Sequence, residues 1–289
     1  MNIAGPASAW FRVNGRDLPW RRPGFSAWGT LVSEVMLQQT PVARVIPRLA
    51  VWLQRWPAPA ALAAAPVAEA VRAWDRLGYP RRALSLHAAA VAICERHGGV
   101  VPADVEALLA LPGVGDYTAR AVAVFAYGRR HPVVDVNVRR VVARAVHGRG
   151  EPGPAARRDL DDVEALLPAD PAEARLTSAA LMELGQLVCT ARTPRCDDCP
   201  IAAACAWRAA GRPAFDGTRA PAQKRFEGSD RQVRGLIMRE LRAADVPVSP
   251  AEIAAVWPDA TQRERALASL VADGLAVGDA EAGYTLPLH

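Results

Sequence analysis

The chain has 289 residues, long enough for one large or two ordinary domains with buried cores. Alanine is abundant, only 6% of the residues are aromatic, and alternating strand-like runs are nearly absent, so we expect mostly helix. No apolar run approaches the roughly 20 residues that a membrane span needs, and the first residues lack the charged and apolar regions of a secretory signal. These features argue against a membrane protein and predict a cytoplasmic one.

The net charge of +5 is unevenly distributed. Residues 226–289 contain six Arg and ten Asp or Glu, a net charge of −4, which leaves +9 on residues 1–225. A basic surface attracts the phosphate backbone of nucleic acids, although an arginine-rich face can also simply be solvated.

Residues 8–56 have the pattern of two or three helices, and the helix predicted over residues 26–39 carries a glutamate on its apolar stripe. Glu34 lies three residues from both Leu31 and Leu37. Burial favours the protonated form of a carboxyl group and so suits proton donation. Glu34 is therefore either a functional acid or a misplaced surface charge.

Two further helices are predicted over residues 58–77 and 83–97, joined by a turn that contains Gly78, Tyr79 and Pro80. Cys94 lies on the apolar face of the second of these helices. A buried structural thiol is expected there.

A glycine-rich turn follows at residues 111–115, and a helix is predicted to begin behind it. Glycines let backbone N–H groups approach an anion, and the positive end of the helix dipole points to the same place. The pattern predicts a phosphate site at Gly113, Val114 and Gly115. Taken alone, it could equally be an ordinary corner between two helices.

An apolar run over residues 132–134 delivers one carboxylate, Asp135, to the start of the next predicted helix. Taken alone, Asp135 could be an ordinary helix N-cap. Helical patterns continue over residues 137–146, 155–167 and 171–188.

Four of the five cysteines lie within seventeen residues, at Cys189, Cys196, Cys199 and Cys205. A reducing cytoplasm argues against disulfides there. Four thiolates can hold either zinc or a [4Fe–4S] cluster, and the chemistry alone leaves zinc the commoner choice.

Residues 206–225 are rich in Gly, Pro and Arg and read as a linker, so we place the domains at 1–205 and 226–289. The last segment predicts three helices followed by a hairpin of residues 275–277 with 284–286, an order that resembles a winged-helix module. Capping boxes are predicted at Ser249 and Thr261. The negative charge of this segment argues against assuming that it binds DNA.

The glycine-rich turn, followed about twenty residues later by an aspartate, resembles the helix-hairpin-helix DNA glycosylase superfamily. The cysteine spacing matches the cluster loop of the endonuclease III and adenine glycosylase branches, which implies a [4Fe–4S] cluster instead of zinc. The resemblance runs from about Leu18 to Cys205. It implies an all-α, two-lobed helix-hairpin-helix fold with a cluster loop, to which a small C-terminal winged-helix-like module is added.

One position separates the branches of this superfamily. Bifunctional members carry a Schiff-base lysine immediately before the threonine of the second hairpin helix, where this chain has Tyr117. We therefore predict a monofunctional glycosylase without strong β-lyase activity. Segments 28–40, 77–79 and 135–141 look like those of MutY-type adenine DNA glycosylases, which remove adenine mispaired with 8-oxoguanine or guanine in base excision repair.

The resemblance implies a role for each matching residue. Glu34 would protonate the flipped adenine at N7, and Asp135 would stabilise the oxocarbenium-like sugar through a transient covalent adduct, as in retaining glycosidases. Asn137 would position Glu34 or the water. Tyr117 would pack in the pocket and hydrogen-bond near the nucleophile.

Other matching residues would contact the duplex. Gln39 and Tyr79 would insert around the opposite base, and residues 113–115 would present backbone amides to a phosphate with a bound monovalent cation. If the resemblance is set aside, the sequence allows an ordinary role for each residue. Tyr79 could be an aromatic residue in a turn, Gln39 could be a helix C-cap, and the side chain of Asn137 could hydrogen-bond to the nearby backbone.

Three departures from the family pattern matter. Val136 replaces a usual glycine, and because a β-branched residue disfavours positive φ, a regular backbone is expected there. Pro80 replaces a second tyrosine that normally follows Tyr79. The 64 residues from Phe226 are too few for the family's Nudix-like domain, which recognises 8-oxoguanine. Adenine excision is thus better supported than selectivity for the lesion opposite it.

Two other functions remain open. A G·T or G·U mismatch thymine/uracil glycosylase of the same superfamily also carries tyrosine at the position of Tyr117, but Glu34 favours adenine because a pyrimidine lacks N7. A non-catalytic iron–sulfur DNA-binding protein would not need the retained carboxylates. The expected partner is double-stranded DNA with a mispaired adenine, bound by a monomer located with the nucleoid.

Overall fold

The computed structural model describes residues 2–218 and 225–288, and its regular secondary structure is almost entirely helical. The helices are α1 (Ala4–Asn14), α2 (Ala27–Leu37), α3 (Val42–Arg55), α4 (Pro59–Ala63), α5 (Val67–Trp74), α6 (Arg81–His97), α7 (Val105–Leu109), α8 (Asp116–Phe125), α9 (Val136–Ala145), α10 (Arg158–Glu164), α11 (Pro171–Leu187), α12 (Ala206–Ala209), α13 (Asp230–Ala243), α14 (Pro250–Ala255) and α15 (Ala260–Ala272). The strands are β1 (Val277–Asp279) and β2 (Gly283–Thr285). The predicted all-α fold is confirmed. Residues 219–224 of the predicted linker lie outside the described residues.

Among the helices of the described ranges, none combines the length and the apolar character that crossing a membrane requires. The chain forms two compact units. The first contains residues 2–31, 103–109 and 114–218, and the second contains residues 32–102, 110–113 and 225–288.

The core of the first unit lies where α1 and α9 pack against α11. Its fully buried members include Ile3, Val141, Leu181 and Leu184. Ser8 in α1 and Thr177 in α11 form a buried hydroxyl–hydroxyl hydrogen bond of 3.1 Å inside the same interface.

A buried carboxylate joins α11 to the segment that follows α1. Glu183 is 1% exposed and accepts hydrogen bonds from Nε of Arg16 at 2.7 Å and from Nη2 of Arg21 at 2.9 Å. Burial would raise the pKa of this carboxyl, but the hydrogen bonds from both guanidinium groups outweigh it and lower the pKa to about 2. Glu183 is therefore an ion-pair anchor of the first unit.

Three tryptophans form the centre of the second unit's core. Trp52 packs edge-to-face against Trp56 and Trp74, with ring centroids 4.7 Å and 5.7 Å apart. Leu49 and Leu86 are buried in the same unit. Such pairs add about 0.5–1.5 kcal/mol each beyond the apolar area that they bury.

Residues 226–288, here called the C-terminal module, consist of α13, α14, α15 and the two strands. The capping box at Ser249 is confirmed, since its Oγ accepts the N–H of Glu252 and its own N–H donates to that carboxylate. The box predicted at Thr261 is wrong. Asp259 is the N-cap of α15 and accepts the N–H of Gln262 at 2.9 Å, which places Thr261 inside the first turn.

The hairpin of the C-terminal module is antiparallel and pairs Val277 with Thr285. A bridge between Val248 and Tyr284 extends the pairing on the other side. The predicted first strand, residues 275–277, lies two residues too early, because the N–H of Leu275 instead bonds to the end of α15. The order of the elements, three helices followed by a hairpin, is as predicted.

Candidate active site

Asp135 is the N-cap of α9. Its Oδ1 accepts the backbone N–H of Val138 at 2.7 Å, and its Oδ2 accepts Nδ2–H of Asn137 at 2.7 Å. Val136 is the first residue of the helix and is 66% exposed, which agrees with the regular backbone expected of a β-branched residue. The capping interaction thus fixes the direction of the carboxylate that the sequence singled out.

The electrostatics of Asp135 are balanced between opposing effects. Burial raises the pKa of its carboxyl, while hydrogen bonds from Val138 and Asn137 and the charge of Arg140 act to lower it. Burial wins. The carboxylate is therefore more basic than a solvated aspartate, although two donors still stabilise its anionic form.

Asn137 connects this aspartate to the polypeptide around the cysteines. Its Oδ1 accepts a hydrogen bond from Nη2 of Arg140 at 2.8 Å. The same guanidinium donates to the backbone oxygens of Gly185 and Cys189, each at 2.7 Å. A continuous hydrogen-bonded path therefore runs from the Asp135 carboxylate to the backbone of the first cysteine in the cluster loop.

Gly185 was not predicted as a site residue, yet it makes room for Asn137. A Cβ at residue 185 would lie 2.7 Å from Cβ and 2.8 Å from the backbone oxygen of Asn137. Glycine in a helix interior is unfavourable by about 1 kcal/mol relative to alanine. Its presence inside the predicted helix 171–188 was the one available sign of a close approach.

The four cysteines line one pocket of the first unit. None of the four forms a disulfide in the described part of the chain. Arg144 of α9 donates to Sγ of Cys189 at 3.4 Å and to the backbone oxygens of Thr190 and Ala191 at 2.7 Å and 3.0 Å. The ring of Trp207 covers this guanidinium at 4.7 Å. Apolar residues complete the wall: Val141, Ala145, Val188 and Ile201.

This donor set suits a thiolate-ligated group, because four cysteines share the pocket. Burial raises the pKa of Cys189 and raises that of Cys199 to about 11, so thiolates here need the positive charge of bound metal. Sulfur donors around an apolar pocket fit an iron–sulfur cluster.

The glycine-rich turn is built as its sequence suggests, but its two glycines differ. Gly113 has φ +74°, and a Cβ there would lie 2.4 Å from Cβ of Ser85. Both the backbone conformation and the lack of space therefore require glycine at this position. Gly115 has an ordinary φ of −94° and is the N-cap of α8. Val114 between them is buried.

Tyr117, in the first turn of α8, is half-buried. It packs against an apolar cluster of the first unit formed by Ala121, Val124 and Val133. The residue that stands in place of the lyase lysine is thus an aromatic ring on an apolar surface.

Glu34 lies in α2 and is 5% exposed. Its neighbours in the helix, Ser33 and Val35, are also buried. Its burial excludes the interpretation as a misplaced surface charge. Glu34 belongs to the second unit, whereas Asp135 belongs to the first.

Gln39 and Tyr79 share an unusual backbone conformation. Their φ angles are 53° and 47°, in the left-handed region that non-glycine residues seldom adopt. Gln39 is exposed and Tyr79 is 45% exposed. Strained, exposed residues that the surrounding structure holds in place are typical of functional sites.

Arg82, which the sequence did not single out, joins the two turns that carry Gln39 and Tyr79. Its Nη1 donates to the backbone oxygens of Val35 and Gln38 at 2.8 Å and 2.6 Å, and its Nη2 donates to Gly78 at 2.9 Å. Burial lowers the pKa of Arg82 to about 10. Its guanidinium also lies 5.4 Å from the centroid of the Tyr79 ring.

Comparison with known proteins agrees with this architecture. Residues 32–161 match the family of HhH-GPD superfamily base excision DNA repair proteins, and residues 189–205 match the iron–sulfur binding domain of endonuclease III. The chain is 56% identical over 279 residues to an adenine DNA glycosylase from Mycolicibacterium smegmatis, covering 96% of this chain and 94% of that protein. The chain belongs to the adenine DNA glycosylase family of the HhH-GPD superfamily. An alignment of that length also extends into the C-terminal module.

The chain is also similar to glycosylases that are named for other substrates. A thymine/uracil-DNA glycosylase from Pyrobaculum aerophilum is 36% identical and covers 67% of this chain and 85% of that protein. The solved structure of a thermostable thymine-DNA glycosylase matches with a TM-score of 0.66 and 25% identity, covering 72% of this chain and 95% of that one.

Family membership resolves two alternatives that the sequence left open. Members are enzymes that hydrolyse N-glycosidic bonds in DNA, so the non-catalytic interpretation is not retained. The matched iron–sulfur domain begins at Cys189 and ends at Cys205, and the cofactor is a [4Fe–4S] cluster and not zinc, as the resemblance implied.

Proposed function

We propose that this chain is a monofunctional glycosylase that removes adenine mispaired with guanine or 8-oxoguanine from double-stranded DNA. The observation that carries the proposal is the half-buried carboxylate of Asp135, fixed at the start of α9 by Val138 and Asn137. An anionic oxygen held in this way can stabilise the positive charge that develops on the sugar as the base departs.

Glu34 and Asp135 divide the chemistry. Glu34 donates a proton to N7 of the extruded adenine and so makes it a better leaving group. Asp135 stabilises the oxocarbenium-like sugar, and the hydrogen bond from Asn137 holds the carboxylate of Asp135 in place. Tyr117 supplies no amine, so no Schiff base with the sugar forms and the DNA strand is left uncut.

Contacts with DNA come from the turns. The backbone amides of residues 113–115 bind a phosphate, together with a monovalent cation. Gln39 and Tyr79 enter the duplex around the opposite base. The basic residues 1–225 attract the duplex, which places the enzyme with the nucleoid in the cytoplasm.

The [4Fe–4S] cluster is held by the thiolates of Cys189, Cys196, Cys199 and Cys205. Bound there, it would supply the positive charge that keeps these half-buried sulfurs ionised. A yellow-brown preparation that absorbs near about 400 nm would report its presence.

Single-turnover excision on four duplexes, containing A·8-oxoG, A·G, T·G and U·G, tests the proposal. We expect free adenine from the first two and no base from the others. Glu34→Gln and Asp135→Asn should each lower the rate on A·G by at least about a hundredfold. Glu227→Gln and Asp17→Asn alter exposed carboxylates and serve as matched controls.

A thymine/uracil glycosylase is the second candidate, favoured by the 36% identity to such an enzyme and by Tyr117. Release of thymine or uracil without adenine would replace the first proposal with this one. Trapping of the protein on DNA by borohydride would contradict the monofunctional assignment, because only an imine can be reduced in this way.

A further inference from the structure

Residues 75–80 form the loop between α5 and α6, and its backbone is strained. Asp75, Gly78 and Tyr79 have φ angles of 46°, 82° and 47°. Non-glycine residues persist in this region only where their surroundings hold them. The loop that carries the proposed DNA-contacting Tyr79 therefore depends on support from other elements.

Part of that support comes from α3, α5 and α6 of the second unit. Nε1 of Trp74 and Nη2 of Arg82 both donate to the backbone oxygen of Gly78, each at 2.9 Å. Arg48 forms an ion pair with Asp75. These contacts join the loop to α3 and to the two helices that flank it.

The C-terminal module contacts the chain on both sides of the same loop. Before the loop, Nη2 of Arg72 in α5 donates to the backbone oxygen of Ala244 at 2.9 Å. After the loop, Nη1 of Arg81 in α6 lies 3.2 Å from Oδ1 of Asp273. The module thus contacts both α5 and α6, the two helices that the loop connects.

Arg242 of α13 interacts electrostatically with the start of the loop. Burial lowers the pKa of this guanidinium, the negative charge of Asp75 acts to raise it, and the positive charge of Arg76 acts to lower it. Arg242 therefore adds a charge near the loop to the two direct contacts made by Arg72 and Arg81. On the other side, a Cβ at Gly274 would lie 3.9 Å from the side chain of Leu84 in α6.

The arginines at the start of α15 are engaged inside the module. Arg263 donates to the backbone oxygen of Trp257 at 2.6 Å, and Arg265 forms a two-pronged ion pair with Asp230. The segment from residue 226 onwards also carries a net charge of −4. Any effect of this module on DNA affinity is therefore expected to act through another element.

We propose that the C-terminal module is a positioning element that holds residues 75–80 in the conformation that presents Tyr79 to the duplex, with Arg242 and Asp273 as its positioning residues. The inference rests on the proposed role of Tyr79 in contacting DNA. It assigns the module a contribution to the affinity for mispaired DNA and none to the cleavage of the N-glycosidic bond.

The first test measures amide hydrogen exchange of residues 75–84 in the free full-length protein. Arg242→Met removes the charge that interacts with Asp75, and we expect exchange in this peptide to become about tenfold faster. Arg242→Lys should restore most of the protection. Arg239→Met is the matched control, since Arg239 lies on the same helix, is 58% exposed and pairs with its neighbour Glu240.

Asp273→Asn is a second variant, which removes the ion pair with Arg81 on the far side of the loop together with the pair that Asp273 forms with Arg234 inside the module. It should accelerate exchange in the same peptide, which keeps the test decisive if Arg242→Met folds poorly. Unchanged exchange in the folded variants at both positions would overturn the proposal, whatever the role of Tyr79.

The second test is a double-mutant cycle on binding and on excision from an A·G duplex. Arg242→Met should weaken binding about tenfold and leave the single-turnover rate at saturating enzyme within about twofold of wild type. Because the module acts through Tyr79, the double variant with Tyr79→Ala should bind no more weakly than Tyr79→Ala alone.

Additive losses in the cycle would show that the module acts on DNA independently of Tyr79, and the proposal would be wrong. If Tyr79→Ala alone left binding unchanged, the failure would lie in the proposed function, and the exchange data would still show whether the module holds the loop. A lowered rate at saturation in Arg242→Met would contradict the assignment to binding alone.

Discussion

A single methyl group at Gly185 should disturb the active site without unfolding the protein. A Cβ at this position in α11 would lie 2.7 Å from Cβ, 2.8 Å from O and 3.0 Å from C of Asn137. Carbon atoms in favourable contact lie about 3.5–4.0 Å apart. The start of α9 must therefore move away from α11 by about 1 Å to admit the substitution.

The expected effect on stability is modest because two contributions oppose each other. Alanine is favoured over glycine in a helix interior by about 1 kcal/mol, whereas forced overpacking costs about 1–3 kcal/mol. Gly185→Ala should therefore lower the free energy of unfolding by about 0–2 kcal/mol. The rate should suffer more, because Asn137 is the donor that holds Asp135 at 2.7 Å, and a misplacement of about 1 Å can lower a rate about a hundredfold.

The assay combines urea unfolding with single-turnover release of adenine from an A·G duplex at saturating enzyme. Gly235→Ala in α13 is the matched control, since an added Cβ there meets nothing within 4 Å. The control should gain about 0.5–1 kcal/mol of stability and keep its rate. A wild-type rate in Gly185→Ala would refute the argument that the close approach of α11 to Asn137 sets the position of Asp135.

Three further predictions concern charged and polar groups. Arg82→Met should lower the free energy of unfolding by about 3 kcal/mol, measured by urea unfolding, because it leaves several backbone oxygens in the second unit without their donor. Glu183→Gln should remove about 3 kcal/mol of stability at neutral pH, because the folded-state pKa is held near 2 against an ordinary 4.5. That contribution is fully present above pH 4.5 and disappears as the pH falls towards 2, so acid unfolding curves of the variant should be flatter in this window. Asn137→Ala removes a hydrogen bond that lowers the pKa of Asp135, so the acidic limb of the pH–rate profile should move to higher pH.

The first two of these predictions have control variants at exposed residues, and the third has an outcome that would contradict it. Arg81→Met alters a 68% exposed arginine beside Arg82 and should cost under about 1 kcal/mol. Glu173→Gln alters an exposed ion pair on α11 and should leave the acid unfolding curve nearly unchanged. For Asn137→Ala, an acidic limb that stays in place would mean that this limb does not report Asp135.

Much of the fold was predictable because its signals are local. Helical periodicity located α2 over residues 26–39 against an observed Ala27–Leu37, and the capping box at Ser249 was read from four consecutive residues. The helix ends early because Gln39 adopts a positive φ, which no local rule predicts for glutamine. The capping error at Thr261 came from a competing residue, Asp259, two positions earlier.

In the candidate site, too, the features with local signals were predicted and those that depend on distant contacts were not. Asp135, Glu34 and the four cysteines were identified because their chemistry is carried by residue type and spacing. The supports of these residues were missed. Arg82 donates to Val35 across 47 positions of the chain, and Gly185 makes room for Asn137 across a helix interface.

By itself, then, the sequence determined the helical class, the order of the elements, the cluster loop and which residues are candidates for the reacting groups. These depend on residues within a few turns of each other, where period, capping and spacing act directly. Only the tertiary structure decided how basic Asp135 is, why residue 185 must be glycine, and which elements contact the strained loop beside Tyr79. These properties arise from burial and from contacts between residues far apart in the chain, and no local pattern encodes them.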